Sequence, residues 1–167
     1  NNGRIFWRFK NKLPFKGNIS IEDNLIIVND YGNNLISFNN EKLIWKKNLG
    51  ESSKSIYSNV RPLIFKNYVI NPANDGLFHI LDKENGKFIY SDYLEADKSK
   101  VSILHNNDIV ANPIIFKNKL FIMSHSGTLA TYEMKGFEVL WKLPIGGSKT
   151  PTISGNSLFV IDNEGLL

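Results

Sequence analysis

Residues 112–141 read NPIIFKNKLFIMSHSGTLATYEMKGFEVLW, and the rest of the chain writes this unit again with other side chains. Counted from Pro113, Asn118 stands at +5, Leu120 at +7, Gly127 at +14 and Trp141 at +28. Counted from Pro62, the same places hold Asn67, Val69, Gly76 and Tyr90. Counted from Pro151, they hold Asn156, Leu158 and Gly165. From Asn18 they hold Asp23, Leu25 and Gly32, with Trp45 one place early at +27. Four registers that agree to within one residue are the mark of one supersecondary unit repeated along the chain. Gly3-Arg4-Ile5-Phe6-Trp7 matches Gly86-Lys87-Phe88-Ile89-Tyr90 position for position, so it reads as the last strand of a preceding unit.

Inside each unit the apolar runs are short and rich in Ile, Val, Phe, Tyr, Leu and Thr, side chains that suit a pleated, half-buried surface. The first full unit reads as strands over 18–21, 25–29, 34–38 and 43–47, the second over 60–65, 68–71, 77–82 and 87–91. The third reads over 110–116, 119–124, 128–133 and 138–142, and a fourth opens at 150–154 and 157–162. Turn chemistry separates them. Phe65-Lys66-Asn67, Phe116-Lys117-Asn118 and Ser154-Gly155-Asn156 offer Asn or Gly to a tight hairpin, which needs positive φ. Asp30-Tyr31-Gly32, Asn74-Asp75-Gly76, Ser126-Gly127 and Asn163-Glu164-Gly165 do the same for the next hairpin. Pro62, Pro113 and Pro151 stand near strand starts, where a missing N–H costs least. No helix is expected beyond a single turn within 92–100.

Repeated four-stranded units joined by hairpins are blades of a β-propeller, because one such sheet cannot cover its own faces and a stack of them can. The expected fold is therefore all-β, a partial propeller of about three and a half to four blades of four antiparallel strands. The boundaries are 1–10 for the last strand of a preceding blade, 11–48, 49–93 and 94–144 for three blades, and 145–167 for the start of another. A register that opens inside one blade and stops inside another points to a piece of a longer ring. The repeat positions Trp7, Trp45, Tyr90 and Trp141 fall on outermost strands as wedges against the adjacent blade; Gly32, Gly76, Gly127 and Gly165 mark the turns.

Bulk composition narrows the function. The 167 residues carry a formal charge of +4, 42% apolar and 22% charged residues, and no cysteine. Lysines are scattered without a basic run, which leaves nucleic acid out of the expected partners. Zero cysteines removes disulfides, thiol catalysis and Cys-ligated zinc. No run approaches the ~20 apolar residues of a membrane helix, and no signal peptide is visible at Asn1-Asn2-Gly3.

The segment Ile80-Leu81-Asp82-Lys83-Glu84-Asn85-Gly86-Lys87-Phe88-Ile89-Tyr90 resembles the signature of the PQQ-type (quinoprotein-like) β-propeller repeat, roughly Ala-x-Asp-x-x-Thr-Gly-x-x-x-Trp. Asp82 and Gly86 agree, while Ile80, Asn85 and Tyr90 depart. Residues 131–141 keep the length but move the Gly to Gly136, and 39–45 fall one residue short and lack the Gly. Two groups carry such repeats. Resemblance to BamB-like outer-membrane assembly factors implies a non-catalytic scaffold that assists assembly of outer-membrane β-barrel proteins. Its partners would be proteins of a membrane assembly complex, its location periplasmic and outer-membrane associated, and its membrane attachment a lipid anchor that is not in this sequence. Resemblance to quinoprotein dehydrogenases implies instead a quinone, a calcium ion on carboxylate and amide oxygens, and often a vicinal cysteine pair. That pair cannot exist here, and Asp30, Asp75 and Asn74 are the oxygens on offer. An exported sensor or adhesion propeller is a third possibility. The expectation is no enzyme and no cofactor.

Candidate sites follow from what varies. Proline (or Asn18) to Gly is always 14 residues, whereas the wedge aromatic to the next unit start is 11, 17, 23 and 10. The variable part is the connection between blades, and loops on a rigid scaffold carry binding. These connections share a face with the second-to-third-strand turns, so the expected interaction face gathers 50–59 and 93–109 with 74–76 and 125–127. Tyr93, Leu94, Val101, Ile103, Leu104 and Ile109 on the longest connection are the candidate contacts for a partner, with packing on the propeller's own rim as the alternative. Strand addition at an exposed blade edge is a second route. No catalytic, cofactor or metal residue is assigned: His105-Asn106-Asn107-Asp108 lacks a second histidine nearby, His79 reads as a packed core histidine, and His125 reads as a solvated turn residue. Ser, His and Asp show no spacing that ties them into a triad. Asn18-Ile19-Ser20 is a formal glycosylation sequon and nothing more specific.

Overall fold

The computed structural model describes residues 2–50, 60–95 and 107–167. It contains β1 (Phe15–Glu22), β2 (Leu25–Asp30), β3 (Asn34–Asn39) and β4 (Lys42–Asn48) in one antiparallel sheet of that order. A second sheet holds β5 (Leu63–Phe65), β6 (Tyr68–Pro72), β7 (Leu77–Asp82) and β8 (Phe88–Tyr93). A third holds β9 (Ile114–Phe116), β10 (Lys119–Met123), β11 (Leu129–Glu133) and β12 (Val139–Leu143). β13 (Thr152–Ser154) and β14 (Ser157–Phe159) pair as a two-stranded sheet. The fold is all-β, with three complete four-stranded blades and part of a fourth, as the repeat requires. Among the described residues no helix is long and apolar enough to cross a membrane.

The cores lie between sheets. Ile27, Leu35, Trp45 and Leu49 of the first blade close on Val69 and Leu81 of the second. Ile70, Phe78, Ile80 and Leu94 of the second close on Leu120, Ile122, Ala130 and Tyr132 of the third. Alternation along the strand sorts the side chains: Ile27 faces the next blade, while its neighbour Val28 joins Ile36 and Phe38 on the opposite face. Because both faces of the middle strands are covered, β3, β7 and β11 each hold four consecutive buried positions instead of alternating inward and outward.

Two of the wedge aromatics, Trp45 and Tyr90, occupy these seams; Trp141, 36% exposed, and Trp7 do not lie between two sheets. Trp45 is 7% exposed and its Nε1 donates to the Lys83 carbonyl of the next blade at 3.0 Å. Tyr90 stacks on Phe137 of the third blade with centroids 5.3 Å apart. Trp141 meets Phe121 of its own blade at 6.1 Å. Trp7 meets Phe38 edge-on at 5.2 Å, with Phe9 on the same ring at 4.7 Å.

Three expectations need correction. Gly3–Trp7 is not a strand; residues 2–11 run as an irregular arm. Among the described residues no strand pairs with it, and only the aromatic anchors of its sequence match hold. A turn of 3-10 helix falls at Asn74–Gly76, where none was expected; of the stretch expected to hold a turn, 92–93 belong to β8 and 96–100 lie outside the described residues. Gly32 does not supply a positive φ: Asn33 does, at 57°. Gly32 is needed for space, since a Cβ there would stand 2.5 Å from Leu13 Cδ1.

Candidate interaction face

Three of the second-to-third-strand turns are shaped by their own side chains, while Asn74–Gly76 forms a turn of 3-10 helix without a side-chain cap. The Asp30 carboxylate accepts from the Gly32 and Asn34 backbone N–H groups at 2.9 and 3.0 Å. Asp162 repeats the arrangement with Glu164 and Leu166, at 2.9 and 2.8 Å. In the third blade Ser124 Oγ accepts from Thr128 N at 3.1 Å. The connections between blades are then tied to these turns. Leu49 N donates to Asn33 O at 2.9 Å and Leu94 N to Gly76 O at 2.8 Å. His125 N donates to Asp108 O at 2.8 Å, and Asn163 N to Gly146 O at 3.0 Å. One face of the molecule therefore collects turns and connections into a single hydrogen-bonded layer.

Asn107 is the pin of the longest connection. Its Nδ2 donates to Leu94 O at 2.5 Å and its Oδ1 accepts from Ser126 Oγ at 2.6 Å, which joins both ends of the connection to the third blade's turn. The Thr128 hydroxyl donates to the Glu95 carbonyl beside it. Gly76 must be glycine here, both for its φ of +80° and because a Cβ would meet Leu94 O at 2.3 Å. Sequence reasoning passed over Asn107 as part of a weak metal motif; the signal it missed was an amide placed where a buried backbone carbonyl and a turn hydroxyl needed partners.

The six candidate contacts separate. Tyr93 is 44% exposed at the end of β8, and its hydroxyl accepts weakly from Asn107 Nδ2 at 3.4 Å. Leu94 is 0% and Ile109 1% exposed, both inside the second-to-third-blade core. They pack the propeller's own rim and present no surface to a partner. Val101, Ile103 and Leu104 lie outside the described residues, as do His105 and Asn106. The face instead offers a hollow of about 240 Å³ between the third blade and the fourth, lined by His125, Gly127, Pro144, Ile145, Gly146 and Asn163. His125 is half-buried rather than solvated, and its Nδ1 has no hydrogen-bond partner. A larger, shallow hollow of about 530 Å³, lined by Asn24, Leu25, Asn40, Ile44, Lys83 and Glu84, lies on the opposite face.

Charged groups near the interaction face are already engaged. Burial works against the Asp30 charge, but hydrogen bonds from Asn11, from the Asn34 backbone and side chain and from Lys46 outweigh it. Its carboxyl is held below the usual range. Lys46 Nζ sits 3.3 Å from Asp30 Oδ2, and Asn11 Nδ2 2.8 Å from the same oxygen. Burial lowers the Lys16 pKa, with the Asp108 charge pulling it back up. His79 is a buried core histidine: its Nδ1 lies 2.7 Å from Ser91 Oγ and its ring packs edge-on to Phe88. The Ser20 hydroxyl of the sequon is buried and donates to the Pro62 carbonyl. Among the described residues no three His, Asp or Glu side chains group to hold a metal ion.

The model of the family described as outer membrane protein assembly factor BamB matches residues 1–167. This chain belongs to the BamB family. The BamB of Alteromonas naphthalenivorans is 34% identical over 55 residues, 33% of this chain and 13% of that protein. The crystal structure of BamB from Moraxella catarrhalis superposes with a TM-score of 0.76 at 19% identity, over 88% of this chain and 45% of that one. A europium-containing methanol dehydrogenase superposes with a TM-score of 0.68 at 14% identity, over 86% of this chain and 27% of the enzyme. At such identities both superpositions speak to the fold alone. The chain spans less than half the length of these BamB-family relatives and of the enzyme.

Proposed function

We propose that this chain is a non-catalytic interaction scaffold that assists assembly of outer-membrane β-barrel proteins, working in the periplasm at the outer membrane with protein partners. The observation that carries the reading is the BamB-family match along the whole chain. It is supported by a face on which turns and connections are fixed to one another while Tyr93 and the His125 hollow stay open. Rigid backbone with a few exposed groups is what a pre-organised recognition surface needs. Strand addition is less well supported, because each blade's outer strand carries a bulge that spoils a continuous edge.

The competing reading is a quinone-dependent dehydrogenase, which would need open oxygens for calcium. The Asp30 oxygens are filled by Asn11, Gly32, Asn34 and Lys46. Asp30 is therefore not free to hold the ion.

Affinity-tagged chain incubated with solubilised envelope should recover the outer-membrane assembly complex, and Tyr93→Ala together with Asn163→Ala should reduce the recovery. No recovery, combined with saturable uptake of quinone in the presence of calcium, would replace the scaffold reading by the enzyme one.

A further inference from the structure

We infer that the N-terminal arm and the adjoining outer strand β4 form a contact site for an anionic lipid surface. Residues 2–13 and β4 together hold Arg4, Arg8, Lys10, Lys12, Lys42, Lys46 and Lys47, seven of the chain's 20 Lys and Arg, and no acid. Lys46 is committed to Asp30 and Asn11. The nearest acid by sequence is Glu41, in the turn that opens β4.

The arm lies against the first blade. Trp7 and Phe9 both pack on Phe38 of β3, Phe38 pairs with Leu43 of β4, and Asn11 Oδ1 accepts from Lys46 of β4 at 3.1 Å. With Trp7 and Phe9 turned inward, their neighbours are left outside: Ile5 is 65% and Phe6 81% exposed, and on β4 Leu43 is 47% and Ile44 49% exposed. Elsewhere among the described residues Lys83 meets Glu22 at 2.7 Å and Lys142 meets Asp92 at 3.9 Å, while Lys66 and Lys117 bond Asn118 and Asn156.

Exposed aliphatic and aromatic side chains interleaved with cations that, Lys46 aside, meet no acid among the described residues fit the boundary of an anionic bilayer. Apolar tips enter the headgroup layer, while Lys and Arg stems extend along it and leave their charges at the phosphates. An acidic protein would complement the charge but would leave Ile5 and Phe6 without a dry surface. A neutral groove would bury the apolar tips but leave the cations unanswered. Only a lipid surface carrying negative headgroups answers both. The inference does not rest on the scaffold reading, since it needs no assembly partner.

The test is flotation of the purified chain with vesicles of phosphatidylcholine alone and of phosphatidylcholine containing phosphatidylglycerol. Binding is expected with the anionic vesicles only, weakening in high salt. Phe6→Asp, at a position exposed enough to leave the fold intact, and separately Lys42→Glu with Lys47→Glu, should each lower binding about tenfold or more, at roughly fivefold per cation lost. Unchanged circular dichroism and melting temperature would show that these variants fold. Equal flotation with neutral vesicles, or loss of no affinity in either variant, would overturn the inference. So would binding to heparin or an acidic peptide with none to anionic vesicles.

Discussion

At the scale of single residues, the seams keep their volume by exchange between two positions. Asp82 Oδ1 accepts from Glu84 N and Asn85 N at 2.9 and 3.0 Å, which curls the turn and brings Gly86 to a φ of +68°. A Cβ on Gly86 would stand 2.7 Å from the Trp45 ring. The repeat signature thus has a physical content: Asp to cap the turn, Gly to pass under the wedge, Trp to be the wedge. In the third blade the equivalent of Gly86 is Phe137, which accepts a φ of +60°, and the wedge facing it is the smaller Tyr90. A large wedge over glycine has become a smaller wedge over an aromatic ring. Gly86→Ala should therefore cost about 1–3 kcal/mol by overpacking, read as a lower melting temperature. Tyr90→Trp should be destabilising alone and should be relieved by Phe137→Gly in the same chain, a coupling of about 0.5–3 kcal/mol in a double-mutant cycle. Strict additivity would mean that the two positions do not share a space.

At the scale of elements, the strands were readable because apolar runs and Gly or Asn turns alternate at fixed spacing, and the wedge aromatics anchored the register. Three things were not readable. The first strands shortened to three residues in β5, β9 and β13, since apolar side chains at 60–62 and 109–113 serve the connections rather than a ladder. The outer strands gained a bulge, with Ile44, Ile89 and Leu140 left unpaired between partners; an extra residue of the same apolar type leaves no mark in composition. Leu94 and Ile109 looked like spare apolar groups on a loop because nothing in sequence says that a long connection returns to the core at both ends. That the connections share a face with the second-to-third-strand turns was legible in the repeat, but the pin of the longest one, Asn107, depends on a contact across 13 residues.

His79 shows how two elements share one polar group. It sits on β7, meets Ser91 on β8, and turns its Nε2 toward the Leu49 carbonyl that follows β4, without forming a hydrogen bond there. Burial lowers its pKa from the ordinary 6.5, only partly offset by that carbonyl. The unfolded chain therefore binds the proton more readily than the folded one, and stability must fall as pH drops below about 6.5. Melting temperatures measured from pH 7.5 downward, at about half-unit steps and above the carboxylate range, should show this decline. His79→Gln should flatten it. An equal slope in the variant would assign the effect to another group.

On the scale of the whole molecule, every large core belongs to two sheets at once, so no blade owns its stability. Leu81 is 0% exposed and lies on the second blade, yet it packs with Ile27, Leu35 and Trp45 of the first. Its neighbour Ile80 faces the other way, into the cluster with Leu120 and Tyr132 of the third. Neighbour-only coupling of this kind makes a repeat array behave as a row of linked units. Leu81→Ala should cost about 2–5 kcal/mol. Its effect should be directional: amide exchange should quicken in β2, β3, β6 and β7, while β10 and β11, held by the second-to-third seam and by Met123 and Leu129 against Ala111, keep more of their protection. Ile80→Ala should shift the loss toward β10 and β11 and spare β2 and β3. Uniform loss of protection in both variants would mean that the blades open only together, and the connections, with Asn107 tying Leu94 and Thr128 tying Glu95 to the third blade's turn, would then be the members that transmit the failure.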